Sequence, residues 1–235
     1  MNAITPSHIT YHHDLIQGSD EWLTARLGIL TASEMGKLFT KGLSPASGET
    51  PLTHLYTKAA ERITRHIEPQ IMTYKMERGH EDEISALDVY RKNCAPVKSC
   101  GFITNNKWGF TLGYSPDGLV GDDGLAECKS RDPHFQIRTI FDGVINGDTA
   151  PAEYMLQLQT GLLVSERKWI DFLSYSEGLP MTAMRVFPDC TLQTAILEVA
   201  QTFEAKLQKM VVQYNAATAS SARLFATDRP VVLEI

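Results

Sequence analysis

Three residues in the middle of the chain have the types that phosphodiester chemistry needs. Asp117 lies in the turn Ser115-Pro116-Asp117-Gly118, and Glu127 and Lys129 lie in Leu125-Ala126-Glu127-Cys128-Lys129. Glu127 and Lys129 are two apart, so on an extended strand they share a face. Two carboxylates near one point repel unless a cation sits between them. Hard oxygen ligands that leave positions to water suit Mg²⁺, with Mn²⁺ as a substitute. An ion of that kind polarises a phosphate oxygen and lowers the pKa of a bound water. The lysine adds positive charge where negative charge grows in the transition state. The same pattern also fits an exposed hairpin with a solvated Glu and Lys, so the rest of the chain has to decide.

The elements that must position this group are legible as alternating strands and helices. Gly109 to Tyr114 reads as a strand, Pro116-Asp117-Gly118 as a turn, and Leu119-Val120 as a short continuation. Asp122-Asp123-Gly124 turns the chain back, and Leu125 to Lys129 returns alongside with Ala126 and Cys128 facing the core. Val97 to Thr104, Trp169 to Tyr175 and Met181 to Phe187 are further strands. Ser19 caps a helix over Glu21 to Leu27 that Gly28 ends. A short helix follows Thr31-Ala32-Ser33-Glu34. Leu52, Leu55, Tyr56, Ala59 and Ile63 fall at helical spacing opposite Lys58, Glu61, Arg62 and Arg65. Met76, His80, Ile84, Leu87 and Tyr90 do the same between Thr73 and Asn93. Further helices start at Pro133, at Pro151 and at Cys190, the last reaching Tyr214. These elements predict one α/β domain over 16–214, a mixed central β-sheet flanked by helices. An irregular lead-in over 1–15 precedes it. A tail over 215–235 follows, with an apolar end that suits docking on its own domain or on a neighbouring subunit.

Composition narrows the function classes. The 235 residues are 43% apolar with a formal net charge of -6, which excludes general disorder. An enzyme of nucleic acid with that balance must gather its basic residues on one surface. No apolar run approaches the ~20 residues of a transmembrane helix, so no membrane partner is expected, and the first residues lack the pattern of a signal peptide. Four cysteines without CxxC spacing argue against structural zinc and fit a reduced cytoplasmic setting. No histidine pair on a predicted helix has the i, i+4 spacing of a helical zinc site, and the seven histidines read as structural or solvated. Neither a Gly-x-Ser-x-Gly elbow nor a Walker loop is present.

Four other positions are ambiguous on spacing alone. Ser33 reads as a helix cap, although a helix start is also an anion site and Arg26 lies close in sequence. Glu81 belongs to the run Glu81-Asp82-Glu83, the usual mark of a solvated face. Gly79, inside a helix, suggests close approach of another backbone or of DNA. Gln157, on an otherwise apolar helix, needs partners if it is buried.

Four stretches in order resemble the lambda-exonuclease branch of the PD-(D/E)xK nucleases, the phage-type alkaline exonucleases. They are Gln17-Gly18-Ser19-Asp20-Glu21-Trp22 through Arg26-Leu27-Gly28 to Thr31-Ala32-Ser33-Glu34, then Gly79-His80-Glu81, then Ser115-Pro116-Asp117-Gly118 with Glu127-Cys128-Lys129, and Tyr154-Met155-x-Gln157-x-Gln159. The resemblance implies a restriction-endonuclease-like core and a 5′→3′ exonuclease that digests one strand of linear duplex DNA to 5′-mononucleotides, leaving a 3′ single strand for recombination. It implies two Mg²⁺ ions bridged by Asp117, with Glu127 and the backbone carbonyl of Cys128 completing the ligands of one. Lys129 then orients the attacking hydroxide, Gln157 and Glu81 hold metal waters, and Arg26, Ser33 and Ser115 bind the terminal 5′-phosphate. It further implies a toroidal homotrimer, a single-strand annealing protein as partner, and a phage or prophage origin in the cytoplasm of a bacterial host. Two rivals remain: an endonuclease or resolvase with the same core, and a non-catalytic DNA-binding module.

Overall fold

A computed structural model describes residues 7–68, 73–147, 150–220, 223–225 and 227–229 of the chain. The strands are β1 (Ile9–His12), β2 (Leu30–Thr31), β3 (Val97–Lys98), β4 (Phe102–Asn105), β5 (Leu112–Tyr114), β6 (Gly118–Val120), β7 (Gly124–Ser130), β8 (Trp169–Tyr175) and β9 (Thr182–Val186). The α-helices are α1 (Asp20–Arg26), α2 (Glu49–Thr64), α3 (Tyr74–Asn93), α4 (Pro133–Thr139), α5 (Ala152–Ser165) and α6 (Cys190–Ser220). A 3-10 helix over Ala32–Leu38 and a π-helical turn over Ile140–Ile145 complete the described elements.

The fold is mixed α/β, as expected, but the single central sheet is in fact two. One has the order β1-β4-β5-β2 and the other β3-β6-β7-β8-β9. The expected continuous hairpin is therefore divided. β5 belongs to the first sheet, and only β6 and β7 form an antiparallel hairpin. The break falls at Ser115-Pro116-Asp117, where proline has no N–H to give to a ladder and the chain crosses from one sheet to the other. The expected strand over Val97 to Thr104 divides likewise into β3 and β4, one in each sheet. The lead-in is not irregular throughout. Ile9, Thr10, Tyr11 and His12 pair antiparallel with Asn105 to Phe102, and Ile9 and Tyr11 pack on the core.

β7 runs parallel to β8 over its full length, Gly124 against Trp169 through Ser130 against Tyr175. Its alternation sorts side chains to two cores. Ala126 and Cys128 face α3 in a cluster with Ala86, Leu87, Tyr90, Val120 and Leu173. Leu125 faces the larger cluster that includes Tyr114, Leu158, Leu162, Ile170 and Phe172. Helix α5 sits close on this side. At Gly161 an added Cβ would stand 2.9 Å from the ring of Tyr114, so glycine permits the approach of α5 to β5.

Two helices turn differently from the sequence reading. In α2, Leu52 and Tyr56 are exposed, while His54, Leu55, Lys58, Ala59 and Glu61 are buried. The charged face is inward because it meets charges from elsewhere. Lys58 pairs with Glu34 at 2.9 Å and with Glu61 at 3.1 Å. Arg62 donates twice to Glu204 of α6, both at 2.7 Å. In α3, Met76, His80 and Ile84 are exposed and the buried stripe is Ala86, Leu87 and Tyr90. Helix α6 continues past Tyr214 to Ser220, through alanines that favour helix. The apolar end Pro230 to Ile235 lies outside the described residues.

Candidate active site

Asp117, Glu127, Lys129 and Gln157 converge where β6, β7 and α5 meet. Asp117 accepts the backbone N–H of Cys128 at 2.6 Å through Oδ2. Glu127 is 2% exposed and carries three donors. Its Oε2 accepts from the phenol of Tyr114 at 2.7 Å. Its Oε1 accepts from Lys129 Nζ at 2.7 Å and from Gln157 Nε2. The ammonium of Lys129 also lies 5.7 Å from the centre of the Tyr154 ring. Gln157, half-buried, thus has a partner for its amide.

The electrostatics of this group are those of crowded acids around one cation. Burial pushes the Asp117 carboxyl well above its ordinary range, and the charges of Glu127 and Glu83 push it further, against the opposing pull of Lys129 and of the Cys128 N–H. Burial also raises Glu83, with Glu127 adding to the effect. For Lys129 burial works downward, but Glu127 and Asp117 outweigh it and the ammonium is held more firmly protonated than usual. Burial and the neighbouring acids raise the Tyr114 phenol and the Cys128 thiol, so both stay neutral.

The acid that α3 contributes to this field is Glu83, not Glu81. Glu81 is exposed. Glu83 lies on the turn before the buried stripe Ala86, Leu87 and Tyr90, and its charge acts on Asp117 and Cys128. The sequence signal was an acid in phase with an apolar stripe at 83, 86, 87 and 90, one step round from the stripe read above. Gly79 has no atom within 4 Å of where a Cβ would stand, so among the described residues no second backbone approaches it.

A second polar group lies beside the first. Arg26 Nη1 donates to Ser115 Oγ at 3.0 Å and Nη2 to Thr31 Oγ1 at 3.3 Å. The guanidinium lies 4.1 Å from the centre of the Trp22 ring and 5.5 Å from that of Phe102. Trp22 Nε1 donates to the same Ser115 Oγ at 3.1 Å and to Gly101 O at 3.0 Å. Ser33 is exposed, and its Oγ is 3.5 Å from Thr31 Oγ1. Ser33 is not the cap. Thr31 occupies that position, and Glu34 accepts from both its N–H and its hydroxyl. The helix it opens is a 3-10 helix of seven residues and not an α-helix. Thr31 escaped the sequence reading although Thr31-Ala32-Ser33-Glu34 has the spacing of a capping box. Tyr114 and Trp22 gave no signal, since their partners are distant in sequence.

Ser115 and Asp117 tie the two groups together. They are two residues apart on the segment that crosses between the sheets, so their Cα atoms are separated by at most about 7 Å.

Residues 21–168, more than half of the chain, match the YqaJ-like viral recombinase domain. The chain belongs to this family. All the residues of both polar groups lie within the matched span. A crystal structure of an alkaline exonuclease (LHK-Exo) from Laribacter hongkongensis is similar with a TM-score of 0.74 and 29% identity, covering 86% of this chain and 98% of that one. The same protein in complex with dAMP gives 0.75 and 30% over the same shares. A phage-related exonuclease from Haemophilus somnus shares the fold, with a TM-score of 0.59 at 12% identity over 79% of this chain and 96% of that one. The viral recombinase-like chain is thus homologous to exonucleases, and its fold is that of an alkaline exonuclease. No curated protein matches it significantly. Among its described residues no helix is long and apolar enough to cross a membrane.

Proposed function

We propose that this YqaJ-like chain is a divalent-metal-dependent 5′→3′ exodeoxyribonuclease. It enters linear double-stranded DNA at a 5′-phosphorylated end, digests one strand to 5′-mononucleotides and leaves a 3′ single strand for recombination. The observation that carries the reading is the fixed separation between the Arg26–Ser115 group and the Asp117–Glu127–Lys129 group. Ser115 and Asp117, two residues apart on the segment that crosses between the sheets, tie the two groups together. An enzyme that holds a terminal phosphate at the first group presents the next phosphodiester to the second.

The residues of the second group fit a divalent metal. Asp117 and Glu127, with the Cys128 carbonyl, are hard oxygen donors, and the Asp117 carboxyl is raised first by burial and then by the charges of Glu127 and Glu83, a repulsion that a cation relieves. Among the described residues no three His, Cys, Asp or Glu side chains already form a cage. Mg²⁺ uses one or two carboxylates and keeps several waters. When bound there, Mg²⁺ (two per site, Mn²⁺ substituting) polarises the scissile phosphate and acidifies a water. Lys129, whose ammonium Glu127 and Asp117 hold protonated, stabilises negative charge at the reacting phosphate. Tyr114 and Gln157 hold the Glu127 carboxylate in place. Glu83 takes the supporting role expected of Glu81. Arg26 and Ser115 bind the 5′-phosphate, with Ser33 at the rim.

From the resemblance to the lambda-exonuclease branch we further propose a toroidal homotrimer around DNA, a single-strand annealing protein as partner, and a phage or prophage origin in the cytoplasm of a bacterial host. Incubation of linear and covalently closed circular duplexes with and without Mg²⁺ tests the activity. Digestion should need both the metal and an end. Cleavage of closed circles would favour an endonuclease, and no metal-dependent cleavage a binding module.

A further inference from the structure

The segment from Arg26 to Glu34 is held from behind by the buried charged face of α2. Glu61 accepts the N–H of Gly28 at 2.8 Å, and Arg62 Nε donates to the Gly28 carbonyl at 3.0 Å. Gly28 has φ of +68°, and a Cβ there would meet Arg62 Cγ at 2.4 Å, so the turn admits only glycine against this clamp. At the other end of the segment, Lys58 pairs with Glu34 at 2.9 Å. Glu34 accepts from the Thr31 N–H at 3.0 Å and from the Thr31 hydroxyl at 2.8 Å through the same oxygen. Thr31, Lys58 and Glu61 are all buried.

A hydroxyl has one proton. With that proton on Glu34, Thr31 Oγ1 faces Arg26 only as an acceptor. It takes one N–H from Nη2, while Ser115 takes one from Nη1. Two of the five guanidinium donors are thereby fixed and three are left facing elsewhere. We propose that Thr31 is a positioning residue for recognition of the DNA end. Its hydroxyl, oriented by Glu34 in its pair with the buried Lys58, sets the plane of the Arg26 guanidinium so that its remaining donors meet a terminal phosphate. Ser115 alone leaves the group free to turn about Nη1. Trp22 and Phe102 stack on the guanidinium but do not set its rotation in plane. This inference rests on the reading of Arg26 as the 5′-phosphate group.

The experiment compares initial rates of the full chain in Mg²⁺ on linear duplexes that end in 5′-phosphate or 5′-hydroxyl. Wild type, Arg26→Ala, Thr31→Val and Thr31→Ser are measured, with KM and kcat separated and thermal midpoints recorded. Thr31→Val should lower the phosphate-to-hydroxyl rate ratio by on the order of tenfold, the loss of one hydrogen bond to a charged group, chiefly through KM for phosphorylated ends. Thr31→Ser, which keeps the hydroxyl, should restore the ratio. If Thr31→Val does not fold, Thr31→Ala carries the same test. A valine variant that keeps the wild-type ratio while Arg26→Ala loses it would overturn the role of Thr31 and leave the pocket intact. A parallel fall on both substrates with a lower thermal midpoint would also overturn it, as a merely structural role. A wild type without end preference, or an Arg26→Ala that keeps it, would overturn the pocket reading and this inference with it.

Discussion

Tyr114 gives its phenolic proton to Glu127 at 2.7 Å, and both side chains are almost wholly buried. They come from different sheets, β5 and β7, so this bond joins the two halves of the fold at the acidic group. Tyr114→Phe removes the donor and leaves a buried carboxylate oxygen short of a partner. The expected loss is about 1–3 kcal/mol of unfolding free energy, measured by urea denaturation without divalent metal. Cleavage should fall as well, because the carboxylate loses one of the groups that hold it.

Glu83 and Glu81 separate two readings of α3. Glu83→Gln should lower kcat by about 10–100-fold, as loss of a group that supports a metal site does. Glu81→Gln, on an exposed side chain, should stay near wild type. Steady-state rates on one linear duplex decide it, and the reverse order would return the role to Glu81.

Lys129→Met should abolish cleavage while the fold and DNA binding in Ca²⁺ persist, since Ca²⁺ takes more ligands at longer distance and supports binding with little turnover. The ammonium is held protonated beside Glu127 and Asp117, so its loss costs several kcal/mol of transition-state stabilisation. A folded Lys129→Met with wild-type turnover would remove Lys129 from the chemistry.

His54 supplies a pH test away from the acidic group. It is buried, its ring stacks on Phe203 with centroids 5.6 Å apart, and its Nε2 has no hydrogen-bond partner among the described residues. Burial depresses its pKa from the ordinary 6.5 to about 4, with Lys37 and Lys58 adding to the effect and Glu34, 3.9 Å away, opposing it. As pH falls the unfolded chain binds this proton first. The stability that His54 contributes is therefore full above pH 6.5 and is lost as pH falls toward 4. Thermal midpoints of wild type and His54→Leu should converge or cross in favour of the variant over that range. A constant gap would mean that His54 does not titrate there.

Much of this arrangement was legible in the sequence because it is local. The turn at Asp122-Asp123, the two-residue spacing of Glu127 and Lys129, and the strand Trp169–Tyr175 follow from alternation and turn chemistry. What escaped depends on partners far along the chain. The inward charged face of α2 reads as solvated until Glu34 and Glu204 are brought to it. The division into two sheets turns on whether β5 pairs with β4 or continues into β6, which no local pattern decides. Spacing reads the whole run Glu81-Asp82-Glu83 as solvated, and Glu81 is singled out by resemblance alone, while an exposed Ile84 mimics an apolar position and hides the phase in which Glu83 joins the buried stripe. Thr31 was hidden behind Ser33 because both suit a cap, and only the bond to Arg26 distinguishes them.

The most direct test of the account follows each strand separately. Linear duplexes labelled at the 5′ end or at the 3′ end, with or without a 5′-phosphate, are digested in Mg²⁺ by wild type and by Arg26→Ala, and the products are sized over time. The account predicts that the 5′ label appears at once as mononucleotide while the 3′ label stays on long single strands. It also predicts faster digestion of phosphorylated ends and loss of that preference in Arg26→Ala. Early release of the 3′ label, or oligonucleotides in place of mononucleotides, would contradict it.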